Sequence, residues 1–259
     1  MLGRIVNSRL YAFAEHNELI DKEQEGFREK RGTTHALLRL TQDIFDGFKD
    51  GMTTAGIFID LEKAFDSVWR EGLLVKLYKM GVQGKIWTWI QNFLMDREAV
   101  CCIKNFTSHT FNTSMGLPQG SVLSPLLFNL YLSDFLEAVT NQKVKFADDG
   151  TIWKTDRCMK TLEVELQRDL EAIETWTKKW RMKLNEDKTE YCLFSKFNPD
   201  SINLSLKGRQ LKRMREVKLL GVLLDENLSF NTHIQKTISK TSKAIGLLAK
   251  VGKTEKKHS

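Results

Sequence analysis

In two places in this chain an apolar run leads directly into aspartate, and these two places constrain the fold more than any other feature. The first is Gly56–Asp60. The second lies within Val144–Trp153, where two short strand-like runs are joined by Asp-Asp-Gly. An acid at the end of a buried strand lies at the edge of the core, where an unpaired charge is costly unless a cation or a donor meets it. We therefore expect Asp60, Asp148 and Asp149 to meet in one antiparallel sheet.

The acidic turn has a simpler explanation that the residues alone leave open. Asp-Asp-Gly is common in hairpins, and an exposed turn would keep both charges in water. Asp60 could likewise cap a helix, although Asp66, next to a helix predicted from Ser67, fits that role better. Against an exposed turn, apolar residues on both sides would bury it and press Asp148 against Asp149 unless a divalent cation lies between them. Oxygen ligands alone suit Mg²⁺ and do not suit zinc.

A third segment is a glycine-flanked loop that leads into an apolar helix. The loop reads Leu-Pro-Gln-Gly at residues 117–120. Gly116 and Gly120 allow the backbone to approach a ligand closely, and Ser121 predicts the N-cap of the helix. On its own, the segment indicates only a loop followed by a core helix.

The periodicity of the remaining chain indicates the fold class. Apolar residues recur at helical spacing in Ser67–Met80 and in Met159–Met182. Further strand-like runs are Ala99–Ile103, Lys143–Ala147, Thr151–Trp153, Tyr191–Phe194 and Val217–Leu224. The two patterns alternate without a strict βαβ rhythm, so we expect an α+β fold in which helices back an antiparallel sheet.

Composition excludes several classes of protein. The chain has 259 residues, of which 41% are hydrophobic and 28% charged, so it is neither disordered nor collagenous. No run approaches a membrane span, and Arg4 and Arg9 interrupt the place of a signal peptide, which predicts a soluble protein of the cytoplasm or nucleus. The four cysteines lack Cys-x-x-Cys spacing, and we expect them to be reduced, partly buried thiols.

The net charge of +7 is concentrated near the C-terminus. From Ser205 onwards, 13 Lys and Arg face 4 Asp and Glu. Such a segment can bind a polyanion through counterion release, or it can be a solvated tail that keeps the protein soluble. Charge alone leaves both interpretations open.

Together, the three segments resemble the palm motifs of reverse transcriptases: an aspartate that closes a strand with an aromatic residue five positions on, a Leu-Pro-Gln-Gly loop, and Phe-Ala-Asp-Asp in a hairpin, in that order. The amino-acid sequences of three segments are similar to those of non-LTR retrotransposons of the jockey type: Gln24–Arg28, Ser121–Phe128 and Leu219–Asp225. The resemblance covers nearly the whole chain. It implies a polymerase palm with partial fingers and the beginning of a thumb.

The resemblance also implies roles for single residues. Asp60, Asp148 and Asp149 would bind two Mg²⁺ ions, with Mn²⁺ as a substitute, and Lys188 would protonate the leaving pyrophosphate unless it is a solvated lysine. Phe65 would exclude a 2′-hydroxyl unless it is a core residue. The other expected nucleotide-binding residues are Leu61, Glu62, Lys63 and Ala64 through their backbone amides, Gln119 beside the nascent base pair, and Arg28 and Arg31 at the triphosphate. Arg31 could equally pair with a surface acid.

Nucleic-acid contacts are expected from the C-terminal part of the chain. Val217–Asp225 would form a primer-gripping hairpin. The residues expected to bind the backbone of nucleic acid are Lys207, Arg209, Lys212, Arg213 and Arg215.

The resemblance divides the chain into partial fingers at 1–55, a palm at 56–225 and the start of a basic thumb at 226–259. The implied function is RNA-directed DNA polymerisation, with an RNA template, a DNA primer and dNTPs as partners and no membrane. We expect the chain to be part of a longer polyprotein with an endonuclease domain. One alternative is an inactive nucleic-acid-binding remnant. The other, an RNA-dependent RNA polymerase, usually has Gly-Asp-Asp and a polar residue in place of Phe65.

Overall fold

The computed structural model describes residues 2–104 and 106–255. Within these ranges the chain forms the helices α1 (Leu2–His16), α2 (Thr33–Lys49), α3 (Arg70–Lys79), α4 (Gly84–Leu94), α5 (Ser124–Tyr131), α6 (Met159–Lys179) and α7 (Asn231–Glu255), and a 3₁₀ helix at Ala64–Ser67. None of the helices in these ranges combines the length and the hydropathy that a membrane crossing requires.

The strands are short, and only five of them form the central sheet. They are β1 (Thr53–Ile59), β2 (Arg97–Ala99), β3 (Cys102–Ile103), β4 (Phe106–Thr107), β5 (Phe111–Thr113), β6 (Gln142–Phe146), β7 (Asp149–Asp156), β8 (Glu190–Phe194), β9 (Ser205–Leu206), β10 (Arg209–Gln210), β11 (Lys212–Met214), β12 (Glu216–Leu219) and β13 (Val222–Asp225). The central sheet has the order β11-β8-β1-β7-β6. Its pairs are antiparallel except for β11, which runs parallel to β8.

Strand β1 lies at the centre of the sheet and is buried along its whole length. Ile57 and Ile59 belong to a large apolar cluster that includes residues of α1, α3, α5 and α6. Phe58, between them in sequence, belongs to a second cluster with Leu40 and Ile44 of α2. Because successive side chains of a strand point to opposite faces, both faces of the sheet are covered. Covering on both faces explains why residues 55–59 of β1 are continuously apolar instead of alternating.

The α+β fold with a mainly antiparallel sheet agrees with the expectation from sequence. Several predicted element boundaries were wrong. Helix α3 begins at Arg70, because a 3₁₀ turn that contains Asp66 precedes it, so Asp66 is not its N-cap. Helix α5 begins at Ser124 and not beside Ser121, since the Ser124 hydroxyl donates to the Pro118 carbonyl and continues the loop. The predicted strand Ala99–Ile103 is divided between β2 and β3.

The cysteines are less buried than expected. Cys192 is buried in β8, but Cys101, Cys102 and Cys158 are exposed free thiols. Two of the exposed cysteines lie in the segment 97–113, which folds into short antiparallel pairs. Since Ile103 and Phe106 are also exposed there, the segment has little apolar cover, which its sequence does not reveal.

The segment after the central sheet forms a hairpin of β12 and β13. Its turn residues Leu220 and Gly221 both have positive φ, as a tight two-residue hairpin turn requires. Val217 and Leu224 of the hairpin pack into the cluster that contains α2. The hairpin therefore closes the second face of the sheet, and α7 follows it.

Candidate active site

Two of the three predicted acids lie at the same end of two neighbouring strands of the central sheet. Ile59, the last residue of β1, pairs with Gly150 of β7, and Asp60 follows it directly. Asp149 is the first residue of β7 and pairs with Phe146 of β6. The register therefore places Asp60 beside the tight turn that carries Asp148 and Asp149.

The Asp149 carboxyl is partly buried and lies near the negative charges of Asp148 and Asp60. Partial withdrawal from water, and then the negative charges of Asp148 and Asp60, raise the pKa of Asp149 to about 6. A donor set made only of carboxylate oxygens suits Mg²⁺. In the arrangement described here, however, no three His, Cys, Asp or Glu side chains within residues 2–104 and 106–255 are placed so that they could hold one ion. The acids therefore fit a divalent cation by their oxygen-only donor set and by the charge repulsion at Asp149, and not by a ligand geometry that is already formed among the described residues.

The segment 185–189 fixes the backbone of Asp60. The N–H of Asp60 donates to the Thr189 hydroxyl at 3.3 Å, and the carbonyl of Asp60 accepts from the N–H of Asn185 at 2.9 Å. Lys188 lies in the same segment. Its Nζ is 3.9 Å from Oδ2 of Asp60, and 69% of the Lys188 side chain is exposed. The structure thus brings the predicted Lys188 to the predicted acid.

The residues after Asp60 form a tight turn into the 3₁₀ helix. Leu61 pairs with Leu184 in an isolated bridge, and the N–H of Glu62 donates to the carbonyl of Lys183 at 2.8 Å. Lys63 has a φ of +46°, and Ala64 begins the 3₁₀ helix. The Glu62 amide therefore already has a hydrogen-bond partner. Contact between a triphosphate and the backbone amides of residues 61–64 stays a prediction.

Phe65 is half-buried between two other phenylalanines. Its ring stacks on Phe128 of α5 with a centroid separation of 4.2 Å. Phe27 meets it edge-on at 6.2 Å. The contacts support its packing role, and its partial exposure leaves a surface for a ligand. Its role as a sugar gate stays a prediction.

The Leu-Pro-Gln-Gly loop lies directly against this turn. Nε2 of Gln119 donates to Oδ1 of Asp66 at 2.9 Å, and the N–H of Leu117 donates to the carbonyl of Phe65 at 2.9 Å. A Cβ at Gly116 would lie 2.8 Å from the Asp66 carbonyl oxygen, and the φ of Gly116 is +84°. Only glycine fits this approach. The structure therefore joins the predicted Gln119 to the turn that carries Phe65.

Arg70 is a site residue that the sequence analysis missed. It is buried, and its guanidinium donates to the carbonyls of Thr113, Met115 and Gly116. Burial lowers its pKa. An arginine on a helix is normally expected at the surface, so no local pattern indicates this contact. Thr189 was missed for the same reason, because a single threonine carries no signal of its partner.

The two arginines expected at the triphosphate have partners within the fold. Nη2 of Arg28 lies 2.6 Å from Glu15 of α1, and 10% of the Arg28 side chain is exposed. Nη1 of Arg31 lies 3.0 Å from Glu25. Arg31 thus pairs with an acid, as in the alternative that the sequence left open, but Glu25 is buried and does not lie at the surface. Contact of either arginine with a triphosphate stays a prediction.

The five predicted nucleic-acid-binding residues do not form one uniform group. Lys207 pairs with Glu186 at 2.9 Å, and Arg209 pairs with Asp187 at 3.0 Å. Arg213 donates to the Pro199 carbonyl and to Ser201. Lys212 and Arg215 are exposed. Neighbouring acids thus offset part of the positive charge that the sequence places here.

Solved structures with a similar fold include telomerases. The apo telomerase of Candida tropicalis, truncated from its C-terminal domain, matches 88% of this chain and 44% of its own with a TM-score of 0.59 and 12% identity. The Candida tropicalis telomerase in complex with a fragment of telomeric RNA matches 88% of this chain and 36% of its own, with a TM-score of 0.60 and 13% identity. At this identity the likeness shows the fold alone.

Relatives by sequence include polymerases of mobile elements. The probable RNA-directed DNA polymerase from transposon BS of Drosophila melanogaster is 29% identical over 90% of this chain. The RNA-directed DNA polymerase from mobile element jockey of the same organism is 28% identical over 90% of it. The chain spans 27% and 26% of the lengths of these relatives.

The relatives confirm the resemblance to jockey-type elements. The sequence model of the family described as reverse transcriptase (RNA-dependent DNA polymerase) matches residues 1–224, which include all three aspartates and the Leu-Pro-Gln-Gly loop. The chain belongs to the reverse transcriptase family.

Proposed function

We propose that this chain is the polymerase core of an RNA-directed DNA polymerase that adds dNTPs to the 3′-hydroxyl of a DNA primer on an RNA template. The observation that carries the proposal is the register of the central sheet, which places Asp60 beside Asp148 and Asp149. Burial, and then the negative charges of Asp148 and Asp60, raise the pKa of Asp149, and a divalent cation would offset both effects by stabilising the ionised carboxylate, which supports the proposal.

The chemistry divides between the cations and the protein. Two Mg²⁺ ions, or Mn²⁺ in their place, would be held by Asp60, Asp148 and Asp149 and would lower the pKa of the primer hydroxyl and neutralise phosphate charge. The protein orients the reacting groups. Lys188, exposed beside Asp60, would donate a proton to the leaving pyrophosphate. Phe65 would limit space beside the sugar, and Gln119 would contact the nascent base pair.

The proposal also concerns the protein of which this chain would be a part. The relatives are about four times longer than the part that this chain matches. We propose that the chain acts within a polyprotein of similar organisation that also holds an endonuclease domain. The proposed division of the chain stays as the motifs suggest, with partial fingers at 1–55, a palm at 56–225 and a thumb that begins at 226.

Primer extension on an RNA template tests the proposal. We expect the chain to extend a DNA primer with dNTPs in Mg²⁺, and Asp149→Asn to lower kcat at least about 100-fold, as loss of a group that stabilises developing charge does. Asp200→Asn, an exposed acid in a loop, is the matched control and should leave kcat unchanged. A wild-type chain that binds primer and template but does not extend the primer would favour a binding remnant instead.

A further inference from the structure

Gln24, near the N-terminus, forms hydrogen bonds with Ala147, the residue that precedes Asp148. Gln24 is buried, with 1% of its surface exposed. Its Nε2 donates to the carbonyl of Ala147 at 3.2 Å, and its Oε1 accepts from the N–H of Ala147 at 2.9 Å. Oε1 also accepts from the N–H of Gly26 at 2.8 Å. One side-chain amide therefore pairs with both backbone polar groups of Ala147, 123 residues away in sequence.

Ala147 has a backbone conformation that alanine seldom adopts. Its φ is +56°, in the left-handed region. A Cβ in that region lies close to the following carbonyl oxygen, so the conformation persists where the surroundings fix it. The two hydrogen bonds from Gln24 supply such a constraint, since a different orientation of the residue would break them.

The segment that carries Gln24 is itself fixed to strand β6. The N–H of Lys145 donates to the Glu23 carbonyl, and the N–H of Glu25 donates to the Lys145 carbonyl, both at 2.8 Å. Nζ of Lys145 lies 2.5 Å from Asp21, and 1% of its side chain is exposed. The segment thus extends the edge of the central sheet, and its register holds Gln24 opposite Lys145.

Gly26 allows the two segments to come this close. A Cβ at this position would lie 2.4 Å from the backbone nitrogen of Ala147. The Gly26 carbonyl accepts from Nδ2 of the buried Asn129 in α5 at 2.9 Å. Three separate parts of the chain therefore meet at the residue before Asp148.

We propose that Gln24 is a positioning residue for Asp148. The Ala147 carbonyl belongs to the same peptide group as the N–H of Asp148, so fixing that carbonyl fixes the plane from which the Asp148 side chain starts. Gln24 does not touch the reacting atoms and acts through Ala147. This inference rests on the proposed function, in which Asp148 holds a divalent cation.

Gln24→Met tests the proposal, because methionine has a similar volume and neither donates to nor accepts from Ala147 in the manner of an amide. Removal of a group that orients a metal-binding residue costs about 10–100-fold in activity. We expect kcat for dNTP incorporation to fall by that factor, with the Kd for primer and template changed less than about twofold. Gln42→Met, at an exposed glutamine that pairs with Asp46, is the matched control.

A purely structural role would give a different result. The assay is run well below the Tm of each variant, so that all protein is folded. If Gln24 served the fold alone, Gln24→Met would lower the Tm but leave kcat per folded molecule at the wild-type value, and that result would overturn the proposal.

Amide hydrogen exchange separates this inference from the proposed function. In Gln24→Met the amide of Ala147 should exchange at least about tenfold faster than in wild type, because its acceptor is gone, whereas amides in the centre of β1 should keep their rates. Unchanged exchange at Ala147 would refute the positioning role even if the wild type polymerises. Faster exchange would support the role even in a wild type that does not extend a primer.

Discussion

At the scale of single residues, the arrangement of Asp60, Asp148 and Asp149 that would bind a cation lowers the stability of the fold when no cation is bound. Asp149 has a pKa of about 6, against an ordinary value of 3.8, because burial and the charges of Asp148 and Asp60 disfavour its ionised form. At neutral pH without a cation, the fold therefore holds a carboxylate that is less stable ionised than it would be in the unfolded chain. Functional sites commonly carry such a cost.

The Asp149 carboxyl gives a prediction with a definite sign. A raised folded-state pKa contributes stability that is fully present below the unfolded value of 3.8 and is lost as pH rises through about 6. In EDTA at about pH 7.5, Asp149→Asn should therefore have a higher Tm than wild type, and the difference should vanish below about pH 4. Excess Mg²⁺ should raise the Tm of wild type but not that of the variant. Thermal unfolding at both pH values checks this, and a lower Tm for the variant in EDTA would contradict it.

Phe65 has two candidate roles that a single substitution separates. Phe65→Val replaces the ring that stacks on Phe128 with a smaller aliphatic side chain. If Phe65 excludes a 2′-hydroxyl, as proposed, the ratio of dNTP to rNTP incorporation efficiency should fall at least about tenfold, because a steric clash is removed. If Phe65 only packs, stability should fall by about 1–3 kcal/mol and the ratio should stay constant. Steady-state incorporation of both nucleotides, with a melting curve for each protein, checks the prediction.

At the scale of elements, buried polar side chains connect loops that are distant in sequence. Arg70 of α3 binds the carbonyls that precede the Leu-Pro-Gln-Gly loop, and Gln119 of that loop binds Asp66. The loop, the turn after Asp60 and the start of α3 therefore form one hydrogen-bonded unit. A change in one of the three should reach the others.

Arg70→Met should disturb that unit. The substitution keeps much of the buried aliphatic volume but leaves the carbonyls of Met115 and Gly116 without their donor, at a cost of about 1–3 kcal/mol per unsatisfied group. We expect a lower Tm and a higher KM for dNTPs with the Kd for primer and template unchanged. Arg157→Met, at an exposed arginine, is the matched control for both measurements. A lower Tm with an unchanged KM would limit Arg70 to the stability of the fold.

The sequence predicts those parts of the site whose signal lies within a few residues, and it does not predict contacts between residues that are far apart along the chain. Asp60 and the Asp148–Asp149 turn could be predicted because each follows an apolar strand pattern within a few residues. The contacts of Arg70, Gln24 and Thr189 could not, because their partners lie 46, 123 and 129 residues away. Helix starts were misplaced where a 3₁₀ turn or a loop hydrogen bond replaced the expected cap.

At the scale of the whole molecule, the distribution of charge matters more than its sum. The sequence carries a net charge of +7, but Glu186 and Asp187 offset Lys207 and Arg209. Lys212 and Arg215 are exposed on and beside β11, at the edge of the sheet. The basic residues should therefore differ in their contribution to the binding of nucleic acid.

Two double variants test this difference. Lys212→Ala with Arg215→Ala should weaken binding to all single-stranded oligonucleotides alike and flatten the plot of log K against log salt, by about 0.7 for each phosphate that the variant no longer neutralises. Lys207→Ala with Arg209→Ala should change the slope less, because it also releases two acids. Fluorescence anisotropy at several salt concentrations gives the slopes. Equal slopes for both variants and wild type would assign these residues to a solvated surface.

The central claim, that Asp60, Asp148 and Asp149 form one divalent-cation site, can be tested without polymerisation. Mn²⁺ binding followed by electron paramagnetic resonance reports the free ion directly, with Asp200→Asn as the control. We predict that wild type and Asp200→Asn bind Mn²⁺ alike, and that Asp60→Asn and Asp149→Asn each weaken binding by at least about tenfold, since a shared site needs acids from both strands. Equal Mn²⁺ binding by wild type, Asp60→Asn and Asp149→Asn would contradict the claim.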